Sequence, residues 1–227
     1  MEFKIEREPY EEGQKIFTKT KLVLEPNTIS CFVGCNGSGK TTIINEIIDN
    51  LRKAKAKEVI ADYYSNSMKK IFGKGNEENH DIFYINFDKY TKTTFSDMDY
   101  FLNDFALAYS STGESIMKRF GDNMSVIGSL LRALHDKTVF IFFDDCDAGT
   151  SIDMIQDIKE CFNYMIADCE KNNLTYYFIL TANSFELCKD LDCISVHDLT
   201  HKHFSSYNTF KNFVLKSREK KDKREAK

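Results

Sequence analysis

Apolar residues recur along this chain with two different periods. Short runs rich in β-branched and aromatic residues read as strands: Phe3 to Arg7, Lys15 to Leu24, Thr28 to Val33, Asp81 to Phe87, Thr138 to Phe143, Tyr176 to Leu180 and Cys193 to His197. Several are continuously apolar, as strands covered on both faces are. Elsewhere the spacing is three and four: Ile43, Ile44, Ile47, Ile48 and Leu51 form one such stripe, and Ile116, Phe120, Ile127, Leu131 and Leu134 another. Strands separated by helices predict an α/β fold with a mostly parallel core sheet. Residues 52 to 80 are polar and punctuated by glycine towards their end, which predicts a helix followed by a mobile loop.

Composition narrows the class. With 227 residues, 42% of them apolar and 29% charged, the chain suits one sizeable globular core. No apolar run approaches the roughly 20 residues that span a bilayer, and the first residues, MEFKIEREPYEEG, are charged throughout. Seven cysteines with no C-x-x-C pair read as reduced thiols, and the expected location is cytoplasmic. A net charge of −4 makes no global case for nucleic-acid binding.

The strand Thr28 to Val33 enters GCNGSGKTT and then the first helical stripe, the context that gives a glycine-rich loop its meaning. Gly34, Gly37 and Gly39 let backbone N–H groups approach phosphate, with Asn36 and Ser38 between them, and the helix N-terminus adds its positive end. Lys40 is placed to reach the β- and γ-phosphates, Thr41 to ligate Mg²⁺, and Thr42 to extend the site. Cys35 lies inside this loop, so its oxidation is expected to block nucleotide binding. A second landmark, TVFIFFDDCDAG at 138 to 149, is a buried strand ending in paired acids. Such a strand is expected beside the phosphate loop, with Asp144 holding Mg²⁺ and Asp145 facing the attacking water.

A third landmark, SSTGES at Ser110 to Ser115, opens the second helical stripe. In this order the three motifs resemble those of the ABC/SMC-type P-loop ATPase superfamily. The resemblance implies an ABC-type head with a mostly parallel core sheet, an antiparallel β subdomain and a small helical lobe. It also implies a homodimer that clamps two ATP molecules, each site completed by the signature loop of the other subunit. Ser111 matches the signature serine, Gly113 its second glycine and Glu114 the polar residue closing it, while Thr112 replaces the usual first glycine. Tyr10 matches the aromatic that stacks on adenine. Ser151 and Asp153 match the D-loop, with Asp147 a competing assignment. Asn183 stands where the family has a switch histidine, and Asn86 or Asp88 where it has a glutamine. Asp145 replaces the family's catalytic glutamate and is one methylene shorter, so Asp145 with Asn183 predicts slow turnover.

The interval from Lys40 to Asp144 is too short for the coiled-coil insertion of SMC heads, which implies a bare head over residues 1–215. A helical lobe and loop insertion are expected within about 52–135, and a basic tail at 216–227. The chain looks like small stand-alone bacterial or mobile-element ABC-type ATPases, a group linked with anti-phage defence and genome maintenance. Its expected cofactors are ATP and Mg²⁺, and its expected partners a second copy and an unidentified protein. The tail SREKKDKREAK carries charge for a phosphate backbone but no aromatics for stacking on bases, so a solvated or partner-docking helix is its simpler reading. Cys188, Cys193, His197, His201 and His203 lie close enough in sequence to weigh as zinc ligands, although a core thiol beside surface histidines is the simpler account. An alternative function is an ATP-sensing, catalytically weak module controlling a toxin or nuclease. A P-loop kinase lacks the expected acceptor groups and basic lid.

Overall fold

The computed structural model describes residues 1–5, 21–53, 57–60, 80–86 and 112–225. Strands β1 (Glu2–Lys4) and β2 (Lys21–Val23) pair antiparallel as a small separate sheet. The main sheet has seven strands: β3 (Thr28–Val33), β4 (Lys57–Ile60), β5 (His80–Asn86), β6 (Thr138–Asp144), β7 (Thr175–Ala182), β8 (Asp192–Ser195) and β9 (His201–Lys202). Their spatial order is β4-β5-β6-β7-β3-β8-β9, and every neighbouring pair is parallel except β8 with β9. The helices are α1 (Lys40–Lys53), α2 (Thr112–Ala133), α3 (Ile152–Lys171), α4 (Phe185–Cys188) and α5 (Tyr207–Glu225). This is the expected α/β fold with a mostly parallel sheet.

The continuous apolar run of β6 has its explanation in two covered faces. Val139, Ile141 and Phe143 pack with Phe120, Ile127 and Leu131 of α2 and with Ile158 and Phe162 of α3. Phe140 and Phe142 point the other way, towards Ile43, Ile44 and Ile47 of α1 and Phe3 and Leu22 of the small sheet. Phe143 and Phe162 centroids lie 4.8 Å apart, and Phe140 stacks on Tyr177 at 4.7 Å. Burying each such ring contributes about 1.5–3 kcal/mol, so the two layers hold the C-terminal ends of β3, β6 and β7 in fixed relation.

One expectation changes. Residue 52 does not open a long helix: α1 ends at Lys53, and Lys57–Ile60 pair with Asp81–Tyr84 at the edge of the sheet, while the loop expected after it, at 61–79, lies outside the described residues. Lysine- and glutamate-rich sequence suits an edge strand, because pairing to β5 outweighs the weak local preference for helix. Strand β7 runs between the acidic strand β6 and the P-loop strand β3. The charged segment after residue 215 continues α5 to Glu225, with Ser217 buried and Arg218 pairing Asp222 at 3.1 Å on the solvent side. Among the described residues no helix is long and apolar enough to cross a membrane.

Candidate functional site

Strand β3 ends between β7 and β8 and delivers the glycine loop to the C-terminal edge of the sheet. Gly34 is required by space: a Cβ there would stand 2.5 Å from Ser38 Oγ and 2.7 Å from Val196 Cγ2. Gly37 and Gly39 have φ of 71° and 106°, which only glycine adopts without strain. Ser38 N–H donates to the Cys35 carbonyl at 3.0 Å, and Asn36 and Gly37 form the exposed crest. Lys40 is buried, and its Nζ donates to the carbonyls of Gly34 (3.3 Å) and Cys35 (3.5 Å), folded back along the loop that it follows. Thr41 and Thr42 are half-buried in the first turn of α1.

The predicted metal pair comes together. The Thr41 hydroxyl lies close enough to the Asp144 carboxylate, fully buried at the end of β6, to favour its ionised form. Burial pushes the Asp144 carboxyl above its usual range and the neighbouring Asp145 charge adds to the rise, while the Thr181 hydrogen bond and the Thr41 hydroxyl oppose it.

The residue that sequence reasoning missed is Thr181. It lies on the intervening strand β7, one step beyond the Phe143–Leu180 pair of the β6–β7 register. Its hydroxyl donates to Asp144 Oδ1 at 2.7 Å and accepts the Asp145 N–H at 2.7 Å. A threonine in the otherwise apolar TYYFILTA was the available signal. Asp145 has φ of 54°, so the chain turns sharply there and lifts its carboxylate off the strand. Asp145 Oδ1 then accepts from Asn183 Nδ2 at 3.0 Å, bringing the two predicted catalytic positions into direct contact.

Asp147, the competing D-loop assignment, has a different task. Its carboxylate accepts the Asn183 N–H at 2.7 Å and the Ser184 N–H, and Asn183 Nδ2 also donates to it at 3.3 Å. It therefore pins the start of the loop that carries Asn183. Ser151 and Asp153 lie exposed at the start of α3 and hydrogen-bond each other, which lowers the Asp153 carboxyl. Asn86 ends β5 in register with Asp144. The backbone of Gly113 and Glu114 forms the first turn of α2, which begins at Thr112. Tyr10, Asp88 and Ser111 lie outside the described residues.

The five residues weighed as a zinc set divide. His197 bonds Ser217, His201 pairs with Asp192 at 2.9 Å, and Cys188 and Cys193 gather instead with Cys31, three buried thiols within 4.8 Å of one another.

The donor set suits a hydrated magnesium polyphosphate. Ser38 Oγ in the glycine loop and Asn183 Oδ1 after β7 are buried and have no hydrogen-bond partner among the described residues. Thr181→Val is expected to cost about 1–3 kcal/mol, because it strips a donor from a buried carboxylate and an acceptor from the Asp145 N–H. Denaturant unfolding of the apo protein reads this loss.

A family model described as "ATPase family associated with various cellular activities (AAA)" matches residues 30–193. No curated protein matches the chain. Among solved structures, the chain is similar to a nucleotide-free ATP-binding cassette from an ABC transporter, with 12% identity over 96% of this chain and 99% of that one and a TM-score of 0.47. It is also similar to Stu0660 of Streptococcus thermophilus, with 11% identity over 92% and 78% and a TM-score of 0.45.

Proposed function

This chain belongs to the ATPase family associated with various cellular activities, as an ATP-binding P-loop ATPase, and we propose that it binds Mg·ATP, dimerises around it in the ABC manner and hydrolyses it slowly for a protein partner. The observation that carries the proposal is the fully buried Asp144 carboxylate, held by Thr181 Oγ1 at 2.7 Å at the sheet edge where the glycine loop opens α1 at Lys40 and Thr41. A metal-binding pair gathered from residues this far apart in sequence, beside a glycine loop, serves phosphate chemistry.

In this reading the Gly34 to Gly39 loop and the N-terminus of α1 bind the phosphates, and Lys40 turns from the loop carbonyls towards them. Thr41 and Asp144 hold Mg²⁺, which supplies charge neutralisation on the triphosphate. Asp145 orients water and accepts its proton, while Asn183 fixes the carboxylate without adding charge. Ser111, Gly113 and Glu114 complete the site of a second copy, and Tyr10 stacks on the base. Ile152, 63% exposed between Ser151 and Asp153, supports a contact between copies at that corner. Defence or genome maintenance is the proposed setting, with the basic end of α5 available to nucleic acid.

One observation favours a second reading, an ATP-sensing module controlling a toxin or nuclease. The short Asp145 carboxylate is already engaged by Asn183, an arrangement that holds water less readily than a free glutamate.

Mg·ATP hydrolysis per subunit, measured over a wide range of protein concentration, separates the two. Turnover is expected to rise with concentration and to vanish in Ser111→Arg. Turnover independent of concentration removes the composite site, and ATP binding without turnover at any concentration favours the sensing module.

A further inference from the structure

The C-terminal helix returns to the phosphate loop and touches it at two points. Buried Ser217 Oγ accepts the Cys35 N–H at 2.9 Å and lies 2.6 Å from His197 Nε2, so a P-loop amide is tied through Ser217 to the segment after β8. One helical turn on, and therefore on the same face, Lys221 lies over the crest of the loop. A Cβ built on Gly37 would stand 2.9 Å from its Nζ, 3.2 Å from Cε and 3.9 Å from Cδ. Both ends of this clasp fall within the glycine loop.

We propose that Lys221 is a second phosphate-directed ammonium, delivered in cis by α5 to the nucleotide held by the P-loop, so that the C-terminal helix reads nucleotide occupancy directly. The inference rests on the reading of the P-loop as an ATP site. Its chemistry is that of charge-assisted hydrogen bonds. The crest of the loop gathers the Lys221 ammonium, the glycine-loop amides and the positive end of α1, and the Lys40 ammonium lies buried beneath, a polarity that a polyphosphate neutralises. The flexible stem of lysine suits this task, because Nζ swings from Gly37 onto a phosphate oxygen while Ser217 holds the helix in place. By linkage, a ligand that engages Lys221 stabilises the last turns of α5, and a partner bound to α5 alters nucleotide affinity by the same factor.

The test compares the full-length protein with Lys221→Ala, Lys221→Glu and Lys216→Ala, the last an exposed lysine on the same helix. Circular dichroism confirms that each is folded. Titration with Mg·ATP is expected to show about tenfold weaker binding for Lys221→Ala, the scale of one charge-assisted contact, and a larger loss for Lys221→Glu, with Lys216→Ala unchanged. Hydrogen exchange is expected to show ATP-dependent protection of residues 214–225 in the native protein that Lys221→Ala loses. If the native protein binds ATP while Lys221→Ala binds equally well or more tightly, this inference is overturned and the ATP site stands. Absence of ATP binding in the native protein overturns both.

Discussion

Asp144→Asn is expected to raise the stability of the apo protein and abolish its hydrolysis, two effects of opposite sign from one atom replacement. Burial in the ordered end of β6 lifts the Asp144 carboxyl above its usual value of 3.8, so the folded state binds that proton more readily than the unfolded chain does. Its contribution to stability is therefore full below the ordinary value and declines as pH rises through the elevated one. At neutral pH the native carboxylate is a buried charge whose cost the Thr181 hydrogen bond and the nearby Thr41 hydroxyl offset only in part. Asparagine keeps an oxygen for Thr181 and carries no charge, so the variant melts at a higher temperature at pH 7. The difference closes as the pH falls below the usual carboxylate range. Magnesium reverses the balance, because only the ionised group binds it. Turnover in the variant is expected to fall at least about 100-fold, the scale of removing one transition-state electrostatic contact. Thermal melts at pH 3 and 7 beside steady-state turnover test this. Hydrolysis at the native rate in Asp144→Asn would remove the metal assignment.

Lys40→Ala is expected to weaken Mg·ATP binding by about 100-fold or more, the sum of two charge-assisted contacts to phosphate. The apo protein should lose little stability by comparison, because Lys40 Nζ makes long bonds of 3.3 and 3.5 Å to Gly34 and Cys35 and the loop geometry is set by glycines. Calorimetric titration alongside a melting curve separates loss of binding from loss of folding. Unchanged affinity in a folded Lys40→Ala would take away the P-loop reading, and with it the role proposed for Lys221. The two lysines thus differ in grade: Lys40 is required for the site, whereas Lys221 adjusts it from the end of the chain.

The site that emerges has two layers. In the proposed site the loop, Lys40, Thr41 and Asp144 are the groups assigned to the phosphates and metal. Around them Thr181 satisfies Asp144 and the Asp145 N–H, while Asp147 pins the Asn183 loop and so holds the contact between Asn183 and Asp145. The substitution of aspartate and asparagine for the glutamate and histidine expected from the resemblance is accommodated by that contact. Replacing Asn183 is therefore expected to leave the Asp145 carboxylate without this donor, whereas replacing Asp145 leaves Asn183 its bond to Asp147.

The glycine loop, the helix after it and the acidic strand were legible in the sequence because each is a near-neighbour matter. Glycine spacing, a period of two or of 3.6 and an apolar run ending in acids are set within a dozen residues, and the structure places β3, α1 and β6 where those signals put them. Weak local signals lost to pairing: Lys57–Ile60 is a strand because β5 is beside it. The order of the sheet was decided in three dimensions, since nothing in TYYFILTA states that it separates the two nucleotide motifs. From that insertion follows Thr181, which meets Asp144 across 37 positions of sequence. The same holds for the basic C-terminal stretch, whose charge pattern describes a solvated helix while its packing brings Ser217 to Cys35 across 182 positions. Local chemistry is written residue by residue. Which distant side chain satisfies a buried polar group is settled only when the two apolar layers close on the sheet and bring the strand ends and α5 to the same edge.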